Sequence, residues 1–314
     1  MCGAVIDSYA QALAEGSPRW IERDVATGPV KALLDGLRER RRIDFLDSRT
    51  ERGTDRDNPK RRRLRIDGKR ALAASAAEHA RVVQLIGRFA KGQDDPAFFE
   101  VIDVARRIAG TGSLGLERYV VLVAGKRNAG KRNADKRDAG TRNAGTRRSD
   151  SNHLLDLKLS RPSSLDTPLR ERLKLSQPMW PHAAARCVAL EQRLQAVPAA
   201  LLHSVVARER SYVLRSLLPS QDRVSLDPKH TDASELAQAL CDMGRLAAWA
   251  HLRASGRQGA ANADALIAFG QQRKAWAAAL MGVAEACAAQ VKSDWQDWDA
   301  AVTERGEKAL ALGR

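Results

Sequence analysis

The sequence predicts an α+β fold, a small antiparallel sheet lobe flanked by mainly helical regions. Three observations point there. Short β-rich runs at 119–123, 154–159, 201–207 and 212–217 fall close together. The stretches on either side repeat apolar residues at intervals of three and four, the helical period. A glycine-rich hexapeptide, Gly110-Thr111-Gly112-Ser113-Leu114-Gly115, stands directly ahead of the first of those runs. The predicted division is a helical region over 1–100, a β-rich lobe over 101–220 and a second helical region over 221–314.

The hexapeptide fits GxGxxG, but a dinucleotide fold needs a helix to open at the third glycine, with its N-terminus facing the pyrophosphate. Here the next patterned run is Tyr119-Val120-Val121-Leu122-Val123, β-branched and aromatic, which favours a strand. Strand, glycine loop, strand is the arrangement by which protein kinases lay a hairpin over nucleotide phosphates. Gly110, Gly112, Ser113 and Gly115 are therefore candidate phosphate-binding residues. The plainer alternative is a tight turn that needs positive φ. In the run 154–159, Leu155, Leu157 and Leu159 share one face, and Asp156 and Lys158 the other. Lys158 is then a candidate partner for the α- and β-phosphates. Glu191, one helical turn from Cys187, is a candidate partner for Lys158. Arg215 reads as a strand-edge charge.

Before the glycine segment the apolar spacing predicts helices over 4–15, 28–41 and 75–90, the last with Val82, Leu85, Ile86 and Phe89 on one stripe. A further helix is expected over 97–107. Asp67-Gly68 reads as a turn closing a short hairpin. After the third strand, a helix over 182–197 carries Cys187, Leu190, Leu194 and Val197 on one stripe. Two later stripes are expected, one of Leu236, Leu240, Met243, Ala247 and Ala250, the other of Leu266, Phe269, Trp276, Leu280, Val283 and Cys287. Trp276, Trp295 and Trp298 read as helix-packing residues, and His251 as a packing or capping residue.

The formal net charge is +15. Residues 126–150 hold nine Lys or Arg against three Asp, in the pentapeptides KRNAG, KRNAD, KRDAG, TRNAG and TRRSD. That period fits neither helix nor strand, and no apolar side chain there exceeds alanine. A disordered insert is expected, running to about residue 152 and lengthening a loop between two strands. Within it, Gly125 to Lys131 fits GxxxxGK, but Arg132 stands where a P-loop needs Ser or Thr. A second basic cluster, Lys60-Arg61-Arg62-Arg63, reads as solvated surface. Neither cluster is interleaved with aromatics, so nucleic acid is expected to bind only non-specifically. No run approaches the roughly 20 apolar residues of a membrane span. The N-terminal residues lack a secretory pattern, and the scattered Cys2, Cys187, Cys241 and Cys287 suggest buried, reduced thiols. A cytoplasmic protein is expected.

Several stretches resemble the bacterial domain of unknown function 2252 family: 103–115, Leu155-Asp156-Leu157-Lys158, 192–196, Tyr212-Val213-Leu214-Arg215 and Met243-Gly244-Arg245-Leu246-Ala247. The resemblance covers nearly the whole chain outside the repeat. It implies a protein-kinase-like or aminoglycoside-phosphotransferase-like fold, circularly permuted, with ATP and Mg²⁺ as cofactors and an unidentified phosphoryl acceptor. The family's Gly-Asp-x-His-x-x-Asn and Asn-Asp-Phe-Asp segments, which would supply the catalytic Asp and the metal ligands, are missing from this sequence. The resemblance therefore implies a member that is either N-terminally truncated or degenerate, with no catalytic residue to assign and no activity expected of this chain alone. The competing expectation is a non-catalytic scaffold or polyanion-binding protein that uses the basic repeat.

Overall fold

A computed structural model of the chain describes residues 2–52, 62–110, 115–126, 148–175, 177–219, 222–227, 229 and 231–305. The chain divides into two compact units. A helical unit takes 1–35, 193–196 and 223–314, and a sheet unit takes 36–192 and 197–222.

Six antiparallel strands build the main sheet of the second unit: β3 (Ala71–Ala73), β4 (Val101–Arg107), β5 (Arg118–Val123), β6 (His153–Ser160), β7 (His203–Ala207) and β8 (Arg210–Ser216). Their order is β3-β4-β5-β6-β8-β7. A two-stranded ribbon, β1 (Thr50–Arg52) with β2 (Arg62–Leu64), stands apart from it. The expected helix over 97–107 is not there. A 3-10 turn at Pro96–Phe99 leads into β4, because Val101, Asp103 and Val104 pair into the ladder with β5, with a bulge at Ile102. Tertiary pairing overrides local periodicity here.

Alternation along the strands separates two buried faces. Val104, Tyr119, Val121, Leu155, Leu157 and Leu214 pack under α4 (Ala76–Ala90), which presents Val82, Leu85 and Ile86 as its spacing predicts. Ser75 caps that helix, and its side chain and that of Glu78 satisfy each other's backbone N–H groups. On the opposite face Ala105, Val120, Leu122 and Leu154 meet Leu46 of α3 (Arg42–Arg49) and Leu64 of β2. The same side of β8 presents Val213 to α6 (Ala183–Leu194). That helix buries Ala184 and Val188 in place of the expected stripe. Val197 lies past its end and is 83% exposed.

Asp67 does make a turn: its Oδ1 accepts from the backbone N–H groups of Lys69, Arg70 and Ala71. The turn joins β2 to β3, which belong to different sheets, so it closes no hairpin. The basic cluster before it is only partly a solvated surface. Arg62 is 1% exposed and is held by Asp47, Asp150 and Thr50. A cation that far from water needs such partners.

In the helical unit α1 (Cys2–Glu15) lies against α7 (Ala233–Ala254) and α8 (Ala263–Gln271). Gly244 makes the first crossing possible. A Cβ there would collide with the carbonyl oxygen of Val5 and come within 3.0 Å of the Tyr9 nitrogen. The buried side of α7 is Leu236, Ala239, Asp242, Ala248, Trp249 and Leu252, and the expected Met243 and Ala247 face water. His251 bonds through Nδ1 to the Tyr9 hydroxyl at 2.8 Å, a packing role. Along α9 (Arg273–Arg305) Ala277 is the last buried residue, so Leu280, Val283, Cys287, Trp295 and Trp298 lie exposed, contrary to the packing expected of them. Cys2 and Cys287 are exposed as well, and all four thiols are free. Among the described residues no helix is long and apolar enough to cross a membrane.

Candidate functional site

The alternation of β6 directs Asp156 and Lys158 away from Leu155 and Leu157, onto the face shared with α3 and α6. Asp156 is 2% exposed. A carboxylate so far from water must be paired, and three strands supply the partners. Arg118, opening β5, forks onto it with Nε to Oδ1 at 2.9 Å and Nη2 to Oδ2 at 2.7 Å. Arg107, closing β4, reaches Oδ2 at 2.7 Å. Arg215, its direct cross-strand neighbour on β8, places Nε at 3.7 Å. Burial raises the Asp156 pKa, yet the Arg118 hydrogen bonds and the Arg107 charge outweigh it and hold the carboxyl below its usual range. Burial lowers the Arg107 pKa, and Asp156 offsets part of that.

The network extends at both ends. Arg118 Nη1 donates to the Ala109 carbonyl at 3.2 Å, tying the cluster to the start of the glycine segment. Arg215 Nη1 lies 3.4 Å from Glu191 Oε2 on α6. Glu191 is thus held by Arg215 and not, as expected, by Lys158. Lys158 sits half-buried, opposite Arg118 on β5 and Val213 on β8. Its ammonium has no counter-ion among the described residues. Four cations against two carboxylates leave this face with an excess of two positive charges.

Gly110 and Gly115 have φ of +67° and +79°, the left-handed region that glycine enters at little cost. Nothing lies within 4 Å of where a Cβ would stand on either. The backbone at these two positions therefore favours glycine, and among the described residues no atom crowds either one. Gly112 and Ser113 lie outside the described residues. So does the repeat from 127 to 147.

Sequence reasoning placed Lys158 and Glu191 on this face but missed its centre. Asp156 carried a signal: it is a carboxylate within Leu154-Leu155-Asp156-Leu157-Lys158-Leu159, on a strand whose neighbours bury both sides. Arg107 and Arg118 carried none beyond flanking the glycine segment.

A cavity of about 750 Å³ opens beyond the start of β6 and is lined by Arg40, Arg42, Phe45, His153, Ser216 and Asp222 among others. His153 Nε2 lies 2.9 Å from Ser216 Oγ. A nucleophilic serine needs its histidine oriented by a third group, and no acid meets the His153 ring among the described residues. Among those residues, too, no cluster of His, Cys, Asp and Glu is able to hold a metal ion.

Residues 1–133 and 144–301 match the family model of an uncharacterised protein conserved in bacteria, DUF2252. The chain belongs to the DUF2252 family. The unmatched residues 134–143 fall inside the pentapeptide repeat. The charged face is thus built wholly from residues the family model covers. No curated protein and no solved structure matches the chain.

Proposed function

We propose that the sheet unit of this DUF2252 protein is a kinase-like nucleotide-binding lobe that holds the phosphates of ATP through cations rather than through a metal. The cationic face beside the glycine turn carries the reading. There Lys158 lacks a counter-ion, and Arg107, Arg118 and Arg215 outnumber the available carboxylates. The chain order supports it: strand, glycine segment, strand, lysine-bearing strand, helix and two strands is the order of a kinase small lobe. Guanidinium and ammonium groups suit phosphate oxygens. Mg²⁺ does not fit the same donors. It takes carboxylate oxygens, and those of Asp156 and Glu191 are held by arginines. Both carboxylates named on this face, Asp156 and Glu191, are held by arginines, so the reading assigns nucleotide binding to it and no catalytic residue.

Thermal unfolding with ATP, in Mg²⁺ and in chelator, tests this. A ligand at 100 times its Kd stabilises the native state by about 2.7 kcal/mol. The expected result is a rise in Tm with ATP that survives the chelator and shrinks in Lys158→Ala. No rise, or a rise that Lys158→Ala leaves intact, refutes it. Removing 127–147 separates the polyanion reading: the ATP response persists if the charged face is the site and disappears if the repeat is.

A further inference from the structure

A second group of arginines, on the same face but centred on α3 and the β2–β3 turn, lacks the counter-charge that Asp156 gives the first. Arg49 closes α3. Its guanidinium lies over the Phe45 ring, with Cζ 5.6 Å from the centroid. Its Nε is buried and has no hydrogen-bond partner, and no ion pair reaches the side chain among the described residues. Arg65, whose backbone N–H donates to the Arg49 carbonyl at 3.0 Å, also has a side chain with no ion pair among them. Arg70 and Arg107 complete the wall of a narrow cleft with Arg49 and Arg65.

The one carboxylate in that cleft is Asp67, and it is already engaged. Oδ1 takes three backbone N–H groups, and Oδ2 takes Arg70 Nε at 2.9 Å. Arg107 is committed in part to Asp156. Of the four guanidiniums, Arg70 pairs with Asp67 and Arg107 with Asp156, and Arg49 and Arg65 have no ion pair among the described residues. Burial first, and then the charges of Arg70 and Arg107, pull the Arg49 pKa down. The charge of Asp67 offsets part of this, and a guanidinium does not give up its proton in a protein, so Arg49 stays cationic.

We infer that Arg49, Arg65, Arg70 and Arg107 form a binding site for a phosphoryl group, or a like dianionic oxyanion, of a small soluble molecule. The cleft is about 20 Å³, room for one oxygen the size of a water. One phosphoryl oxygen enters the cleft among the four arginines, and the others lie at its mouth beside the exposed Arg65 and Arg70. Arginine forks suit this geometry. The site shares Arg107 with the charged face but uses neither Lys158 nor the glycine segment, so Arg49 and Arg65 distinguish it from the nucleotide reading.

Titration calorimetry of the full chain with inorganic phosphate, against chloride at matched ionic strength, tests the inference. Phosphate is expected to bind the wild type, and Arg49→Gln and Arg65→Gln each to weaken it about tenfold or more, the worth of one hydrogen bond to a charged group. Arg49→Gln combined with Arg65→Gln is expected to abolish phosphate binding at the cleft and to leave the Tm rise with ATP in place, so failure here and failure of ATP binding are told apart. Arg49→Gln removes an unpaired, half-buried cation, and without phosphate its Tm should equal or exceed that of the wild type. That result rules out misfolding as the cause of lost binding. A signal that chloride reproduces, one that survives the double variant, or binding only to vesicles bearing phosphomonoester headgroups overturns the inference.

Discussion

Replacing Asp156 by Asn tests the charged face most directly. The substitution keeps the shape and removes the only charge that Arg118 and Arg107 are directly bonded to. The side chains of Arg107 and Arg118 are 13% and 11% exposed, so water compensates little of the loss. Breaking one partner out of a buried ion pair costs about 3–5 kcal/mol. Because the two units need not unfold together, the readout is local: hydrogen exchange of the amides in β5 and β6. At about 1.4 kcal/mol per tenfold, their protection should fall by roughly 10²–10⁴-fold. Asp156→Asn with Arg118→Gln should recover part of that loss, because one stranded guanidinium is gone. The carboxyl also sets a pH dependence. Its folded pKa lies below the unfolded value, so its contribution is full above about pH 4. It is lost as pH falls through the depressed folded value. A loss of protection under tenfold in Asp156→Asn, or equal losses in the single and double variants, would refute the electrostatic account.

The packing sets two further outcomes. Gly244→Ala should lower Tm by an amount equivalent to about 1–3 kcal/mol, because the added methyl meets the backbone of α1 where neither helix has slack; an unchanged Tm would mean that the crossing is loose. Burial, and then the charge of Arg42, depress the His153 pKa, so the folded state favours neutral imidazole and its contribution is lost as pH falls below about 6.5. His153→Gln should therefore flatten the stability profile between pH 5 and 7, and an unchanged slope would assign that slope to other groups.

What the sequence disclosed depended on how many partners each element needed. Helix α4 was legible because one face meets one sheet, so Val82, Leu85 and Ile86 repeat at the helical period and Ser75 with Glu78 marks the start. The β6 alternation was legible for the same reason. Helix α7 was misread because it crosses α1 at Gly244, and a small residue at a close approach carries no hydrophobic signal. Strand β4 was misread because neighbouring strands, not its own spacing, decide its conformation. Helix α9 repeats large apolar residues as a packed helix would, yet beyond Ala277 it buries none of them. Of the charged face, Lys158 and Glu191 were found by position along the chain. The Arg107–Asp156–Arg118 cluster joins residues up to 49 apart (156 less 107), and only strand pairing brings them together.

Under the proposed nucleotide reading, the same pairing makes Asp156 and a phosphate rivals. Its carboxylate already occupies the forked face of Arg118, the geometry a phosphate would otherwise take. Being part of the chain, it competes at a high effective concentration. A ligand on this face therefore has two courses: to engage Lys158 and the outer nitrogens of Arg215, or to displace Asp156 and meet the cost of leaving that carboxylate unpaired. The first needs no rearrangement, and it places the ligand's charge where the excess of cations lies. The arginines around Asp156 then act as a rigid frame, and the groups that bind are those the frame leaves without counter-charge. By the same reasoning Arg49 and Arg65 stand out in the neighbouring cleft: on both parts of this face the proposed ligand groups are the cations that meet no acid among the described residues.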